Sequence, residues 1–273
     1  MNNPYIISKR EASYVKSHAR VLVTGDTNVG IKRNHNEDNY AILEEDNLYI
    51  VADGMGGHAC GEVASKLAIA TLRDFFKATS ADPEATWPYK MDRSRGYEEN
   101  RLITGIKLAN LRIFESQQKD SKLRGMGTTL VAISVGESGV YVGHVGDSRV
   151  YRLRDGYLEQ LTEDHSLLND YIKMRKLSEE EIKNFPHKNV IVRALGMKEN
   201  VRVDTILDQP RAGDLYILCS DGLSGPVTDE EIKDIAINNP DLKKLTQALI
   251  DRANEHGGPD NVTVVAARWL GSG

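Results

Sequence analysis

Four aspartates stand where an apolar run meets a glycine or proline turn, and carboxylates so placed are the clearest chemical signal in the chain. Asp53 follows Ile50-Val51-Ala52, Asp147 follows Val145-Gly146, Asp221 follows Ile217-Leu218-Cys219-Ser220, and Asp260 lies in Gly257-Gly258-Pro259-Asp260-Asn261 ahead of another run. If these strand ends converge, the anions cannot share a buried corner bare, because repulsion and desolvation would force protons onto some of them. A divalent cation removes that conflict. The candidate ligands are all oxygens, with no Cys or His spaced to replace them, so the ion expected is hard: Mn²⁺ or Mg²⁺, with Ca²⁺ less suited to chemistry. Gly54, Ser148, Gly222 and Asn261 follow the four carboxylates and leave room for backbone and water near an ion. Asp-Gly is also ordinary turn chemistry, as at Asp155-Gly156, and one such pair alone favours the turn. Four at strand boundaries favour a site.

Arg33 opens the polar stretch Arg33-Asn34-His35-Asn36-Glu37-Asp38. Its planar fork can hold two oxygens of a phosphate dianion and leave the phosphorus open, although an isolated arginine is more often a surface charge with an ion-pair partner. Glu37 and Asp38 have two readings as well: solvated turn residues, or carboxylates behind the ligands that orient metal-bound waters.

Positioning these groups takes strands. Strand patterning covers Val21–Thr24, Tyr40–Leu43, Leu48–Ala52, Thr128–Val135, Gly139–Val145, Val150–Leu153, Tyr157–Leu161, Val201–Leu207, Asp214–Cys219 and Val262–Trp269, with a hairpin at Asp155-Gly156. Helical periodicity covers Glu62–Lys77, Glu99–Gln117, Asp229–Asn238 and Leu242–His256, while residues 79–97 read as a loop. Strands and helices come in blocks, which points to an α+β fold of antiparallel sheets covered by helices. Residues 1–19 read as an arm, 20–273 as one catalytic domain, and 165–189 as a polar, helix-prone insert.

The 273 residues, 40% hydrophobic, suffice for a substantial core. A net charge of -5 and a pI near 5.9 give no electrostatic case for nucleic acid or an anionic membrane. Two distant cysteines, Cys60 and Cys219, suit a reducing compartment, and no signal-peptide pattern or membrane-length apolar run is present. A cytoplasmic monomer is expected.

In order along the chain stand Arg33 to Asp38, Val51-Ala52-Asp53-Gly54-Met55-Gly56-Gly57-His58, Gly127-Thr128-Thr129, Val145-Gly146-Asp147-Ser148-Arg149, Leu161-Thr162-Glu163-Asp164-His165-Ser166, Ser220-Asp221-Gly222-Leu223 and Gly258-Pro259-Asp260-Asn261-Val262-Thr263. This ordered set resembles the metal-dependent protein phosphatases of type 2C, nearest to their bacterial members, from about residue 20 onward. Each motif alone is weak; the combination is specific.

The resemblance implies a four-layer α/β/β/α sandwich with two Mn²⁺ or Mg²⁺ ions in a cleft at one edge. Asp53 would bridge the ions and the Gly54 carbonyl would touch one. Asp221 and Asp260 would bind the other, while Asp147 with Asp221 marks where bacterial members can hold a third. Arg33 would bind the substrate phosphate, and 165–189 corresponds to the family's flap. The implied activity is direct hydrolysis of phosphorylated Ser/Thr proteins by a hydroxide bridging two ions roughly 3.5–4 Å apart, in opposition to a cognate Ser/Thr kinase. Animal members carry a His where this chain has Met55. His58, three residues on, does not inherit its role as general acid, which is assigned instead to a metal-bound water. Rival functions are a silent phosphoprotein-binding module, which would have lost a metal aspartate, and a phosphatase of small metabolites. No P-loop or kinase signature is present.

Overall fold

The computed structural model describes residues 19–272 except 57–59, 83–84, 175–180, 183–184 and 186–189. Most of the segment expected as an arm lies outside these residues, and the first strand already begins at Ala19. Strands form where β-branched and aromatic residues cluster between turns. In chain order they are β1 (Ala19–Asn28), β2 (Asn39–Leu43), β3 (Leu48–Ala52), β4 (Gly54–Met55), β5 (Gly127–Thr128), β6 (Leu130–Gly136), β7 (Gly139–Val145), β8 (Arg149–Arg154), β9 (Tyr157–Gln160), β10 (Asp204–Asp208), β11 (Leu215–Cys219) and β12 (Val262–Ser272). The helices named below are α1 (Cys60–Ala81), α2 (Tyr97–Lys119), α3 (Leu167–Met174), α4 (Asp221–Ser224), α5 (Asp229–Asn238) and α6 (Leu242–Glu255).

One sheet runs β1-β12-β11-β8-β9 and the other β10-β7-β6-β3-β2, while β4 and β5 form a small clip. Neighbouring strands are antiparallel throughout. Period-2 alternation explains why β3 and β11 read as unbroken apolar runs: each is covered on both faces. Tyr49, Val51, Tyr216 and Leu218 face the layer between the sheets, with Val131, Val142, Val150 and Val265. Ile50 turns the other way, toward Leu72 and Phe76 of α1 and Leu102 and Ile106 of α2. Ile217 turns toward Leu223, Ile232 and Leu249 of α4, α5 and α6. Each such side chain taken from water contributes about 1.5–3 kcal/mol, so three stacked apolar layers hold a four-layer α/β/β/α sandwich, as expected.

Local signals account for the joints. The hairpin between β8 and β9 turns at Asp155 (φ 51°) and Gly156 (φ 78°), both in the left-handed region a two-residue connection requires. At the start of α5, Thr228 and Glu231 make a reciprocal capping box. Two expectations need correction. The run 128–135 is not one strand: β5 pairs with β4, β6 pairs with β3 and β7, and the ladder breaks at Thr129. The strand expected from Val201 starts only at Asp204, because residues 201–203 take no ladder partner.

Candidate metal and phosphate site

Ladder directions bring the aspartates together. β3 and β7 both pair antiparallel with β6, so they run the same way and deliver Asp53 and Asp147 at one end of their sheet. β11 and β12 are antiparallel, so the end of β11, which leads into Asp221 on α4, lies beside the start of β12, which follows Asp260. Both sheets therefore present their carboxylates over the same edge of the sandwich.

The electrostatics record how crowded that edge is. Burial, then the charges of Asp38, Asp221, Asp147 and Asp260, hold the Asp53 carboxyl well above the usual carboxylate range. Asp221 is raised by burial and by the charge of Asp260, against the opposing pull of Arg33 and Arg149. Asp147 is pushed up to about 7 by burial and by Asp221 and Asp164, and its Oδ1 is buried without a hydrogen-bond partner. Asp38 also reaches about 7 through burial and the charges of Asp221 and Asp260, against hydrogen bonds from Ser220 and Thr263 that pull it down. Glu37 Oε1 is buried and lacks a hydrogen bond; His35 Nε2 lies 3.4 Å away.

Arg33, half-exposed at the rim, donates from Nη2 to Asp260 Oδ2 at 2.6 Å. A guanidinium is the counter-charge within reach, and the pair bridges 227 residues of sequence. His58 lies outside the described residues.

Residues given no individual role in the sequence bolt the site together. The Asp53 carbonyl accepts from Thr128 Oγ1 and from the Thr129 N–H, each at 2.8 Å, and Thr129 Oγ1 lies 2.7 Å from Ser148 Oγ. Thr129, at the break between β5 and β6, thus ties the Asp53 turn to the Asp147 turn. Asn261 donates from Nδ2 to the carbonyls of Val29 (2.8 Å) and His35 (3.0 Å) and accepts from the Glu37 N–H (2.8 Å), spanning both ends of the Arg33 turn. Ser220 and Thr263 hydroxyls each donate to Asp38 Oδ2 at 2.7 Å. Arg149 forks onto Asp164. The backbones meet so closely that a Cβ on Gly54 would lie 2.2 Å from the Gly61 carbonyl oxygen, and one on Gly222 1.9 Å from that of Asn261. Glycine is required at both.

Among the described residues, no three His, Cys, Asp or Glu side chains yet converge on a single point at chelating distance. The donor set fits a hard divalent cation: oxygens only, an orphaned Asp147 Oδ1, and desolvated Asp53 and Asp221 carboxyls whose charge a metal would offset.

Asp38 and Asp147, raised from an ordinary value of 3.8 to about 7, predict an unusual pH response of metal-free protein. As pH falls from about 8 toward 6.5 the folded chain takes up protons the unfolded chain does not, so stability rises, by at most about 1.4 kcal/mol per pH unit for each proton. Below about 6.5 two histidines oppose this, since burial depresses His144 to about 4 and lowers His165. A depressed base loses stability as pH falls. In EDTA the melting temperature is therefore expected to climb between pH 8 and 6.5, and with saturating Mn²⁺ to stay level or fall. A flat EDTA profile would show that these carboxyls are not desolvated.

The comparisons with known proteins agree with this fold. The protein phosphatase 2C family profile matches residues 30–269. The chain is 40% identical over 246 residues to the serine/threonine phosphatase stp of Listeria welshimeri, covering 88% of this chain and 92% of that one. The crystal structure of the Mycobacterium tuberculosis serine/threonine phosphatase PstP/Ppp superposes with a TM-score of 0.80 at 36% identity, over 92% of this chain and 99% of that one. A structure of the PstP catalytic domain in complex with two manganese ions gives 0.75 at 35% identity, over 92% and 99%. The fold and the aspartate-lined edge thus define a two-sheet hydrolase of the type 2C class. The chain belongs to the protein phosphatase 2C family and is a phosphoprotein phosphatase.

Proposed function

We propose that the chain hydrolyses phosphoserine and phosphothreonine monoesters in proteins, using Mn²⁺ or Mg²⁺ held by Asp53, the Gly54 carbonyl, Asp221 and Asp260, with Asp147 and Asp221 receiving a third ion. The observation that carries this is the set of desolvated, mutually repelling carboxylates over one sandwich edge with Arg33 at its rim. Ions bound there supply Lewis acidity at phosphoryl oxygens and a water acidic enough to attack near neutral pH.

The chain's own groups do the rest. Arg33, paired through Nη2 with Asp260 and half-exposed, would present its fork to two phosphoryl oxygens and bind the charge that shifts during transfer. Asp38, its Oδ2 saturated by Ser220 and Thr263, keeps Oδ1 for the site, and Glu37 Oε1 has no other hydrogen-bond partner. Both would accept from waters at the cations. Direct hydrolysis fits better than a covalent route through the nearby thiol: Cys219 is buried in the outer core and pushed up to about 12, too basic to be a nucleophile.

Cys60 and Cys219 sit in separate cores on opposite sides of the sandwich, and no helix among the described residues is long and apolar enough to cross a membrane. A cytoplasmic monomer working opposite a Ser/Thr kinase, folded as one catalytic domain from about residue 20, completes the proposal. Turnover of phosphoserine and phosphothreonine peptides should exceed that of sugar phosphates in kcat/KM at saturating Mn²⁺. Equal or greater turnover of the metabolites would overturn it.

Arg33→Ala is expected to lower kcat/KM by roughly 10–100-fold, the scale of a lost charge-assisted fork at a dianion, while Mn²⁺ affinity holds or improves because Asp260 loses a competitor. Arg33→Lys should recover only part, lacking the second donor. Unchanged kcat/KM in the alanine variant would reduce Arg33 to a surface charge.

A further inference from the structure

The geometry points to His165 as the positioning residue that sets the turn carrying Asp147 and joins it to the root of the 165–189 segment; this rests on the ligand role proposed above for Asp147. Gly146 cannot be braced by its own side chain. Its φ is +115°, and a Cβ there would lie 2.5 Å from Thr129 Cβ. The bracing comes from one distant residue: the His165 N–H donates to the Gly146 carbonyl at 2.9 Å, and His165 Nδ1 accepts from the Gly146 N–H at 3.0 Å. Both polar backbone atoms ahead of Asp147 are held by the same histidine, while Asp147 Oδ1 has no hydrogen bond of its own. The aim of that carboxylate is thus set largely from behind.

The acceptor role of Nδ1 also fixes the tautomer. A ring nitrogen that accepts from an N–H carries no proton, so the proton of the neutral ring sits on Nε2, 3.0 Å from Asp204 Oδ2. Arg193 Nη1 lies 3.0 Å from both Nε2 and Asp204 Oδ2. Since a protonated Nε2 cannot accept, Arg193 is assigned to Asp204, whose other oxygen takes Arg202 Nε at 3.1 Å. Asp204 opens β10 opposite His144, whose ring meets that of His165 edge-on at 4.6 Å.

The main chain of His165 completes the joint. Its carbonyl accepts from the Val192 N–H at 2.9 Å, Ser166 bridges Ile191, and the Leu167 N–H donates to the Val190 carbonyl at 2.8 Å. The outgoing and returning ends of the insert are stitched together at the residue that holds Gly146. A displacement of the insert's root is then felt at Asp147 through one imidazole.

Two substitutions separate the functions of the ring. Asparagine offers an acceptor near the place of Nδ1 but cannot reach Asp204, whereas glutamine places a donor near Nε2 and gives up the bond to Gly146. In calorimetric Mn²⁺ titration of metal-free protein, Asp147→Asn should lose the weakest site, and His165→Gln should weaken that site by about tenfold or more, as outer partners of metal ligands do. His165→Asn should stay within about threefold of wild type. Loss of the site in Asp147→Asn with a wild-type titration for His165→Gln would overturn the positioning role. A wild-type titration for Asp147→Asn would instead sink the ligand role of Asp147. Independently of any metal or variant, imidazole ¹⁵N NMR of the wild-type protein should show His165 protonated at Nε2 and bare at Nδ1. The opposite tautomer overturns the proposal outright.

Discussion

Asp53→Asn is expected to cut turnover by about 10²–10³-fold or more, the scale on which a preorganised electrostatic contribution is lost, while raising the melting temperature of the metal-free protein. The two effects have one cause. Asparagine keeps the shape and an acceptor oxygen but removes a carboxyl whose proton affinity Asp38, Asp221, Asp147 and Asp260 all raise. With cations present its charge is what holds them; without cations it is repulsion. Asp221→Asn should behave alike, since its carboxyl is desolvated and crowded by the charge of Asp260. Neither side chain belongs to the three apolar layers, so circular dichroism should stay native. Turnover near wild type in either variant at saturating Mn²⁺ would remove the residue from the site.

Chelation should have a comparable effect. Metal-stripped protein in excess EDTA is expected to retain no more than roughly 1% of its turnover of an aryl phosphate and to recover with Mn²⁺ or Mg²⁺, because carboxylate sites for hard ions exchange with solvent. Ca²⁺ should restore little. Secondary structure should persist through the cycle, since the layers are packed independently of the edge that carries the ligands. Full turnover in EDTA would mean that the carboxylates serve some purpose other than holding ions.

The strands and their burial were legible because alternation and turn residues are local signals. Gly139–Val145 and Asp229–Asn238 appear with the ends read from sequence. The four aspartates were legible because acidic residues at the ends of buried strands are costly without a purpose. What escaped was long-range. Nothing near Arg33 announces a partner 227 residues away, nor does Asn261 announce that it spans the Arg33 turn. The break at Thr129 hid inside an unbroken β-favouring run, and the four-residue helix at Asp221 is too short to show periodicity. His165 stood in a recognised motif, yet its task depends on which ring nitrogen carries the proton, and only the surrounding donors and acceptors decide that.

Strand order also bears on how the chain emerges from a ribosome. β12 follows every other strand in sequence but is not an edge strand; it lies between β1 and β11, hydrogen-bonded to both. Until residues 262–272 leave the exit tunnel, β1 has no ladder partner in its sheet, Asp260 is not anchored beside Asp221, and Arg33 has no carboxylate to meet. The other sheet, with β2, β3, β6, β7 and β10 all made by residue 208, can fold earlier. A nascent chain would therefore carry half a sandwich and no centre, and its first competent moment comes when the final strand slides into the gap.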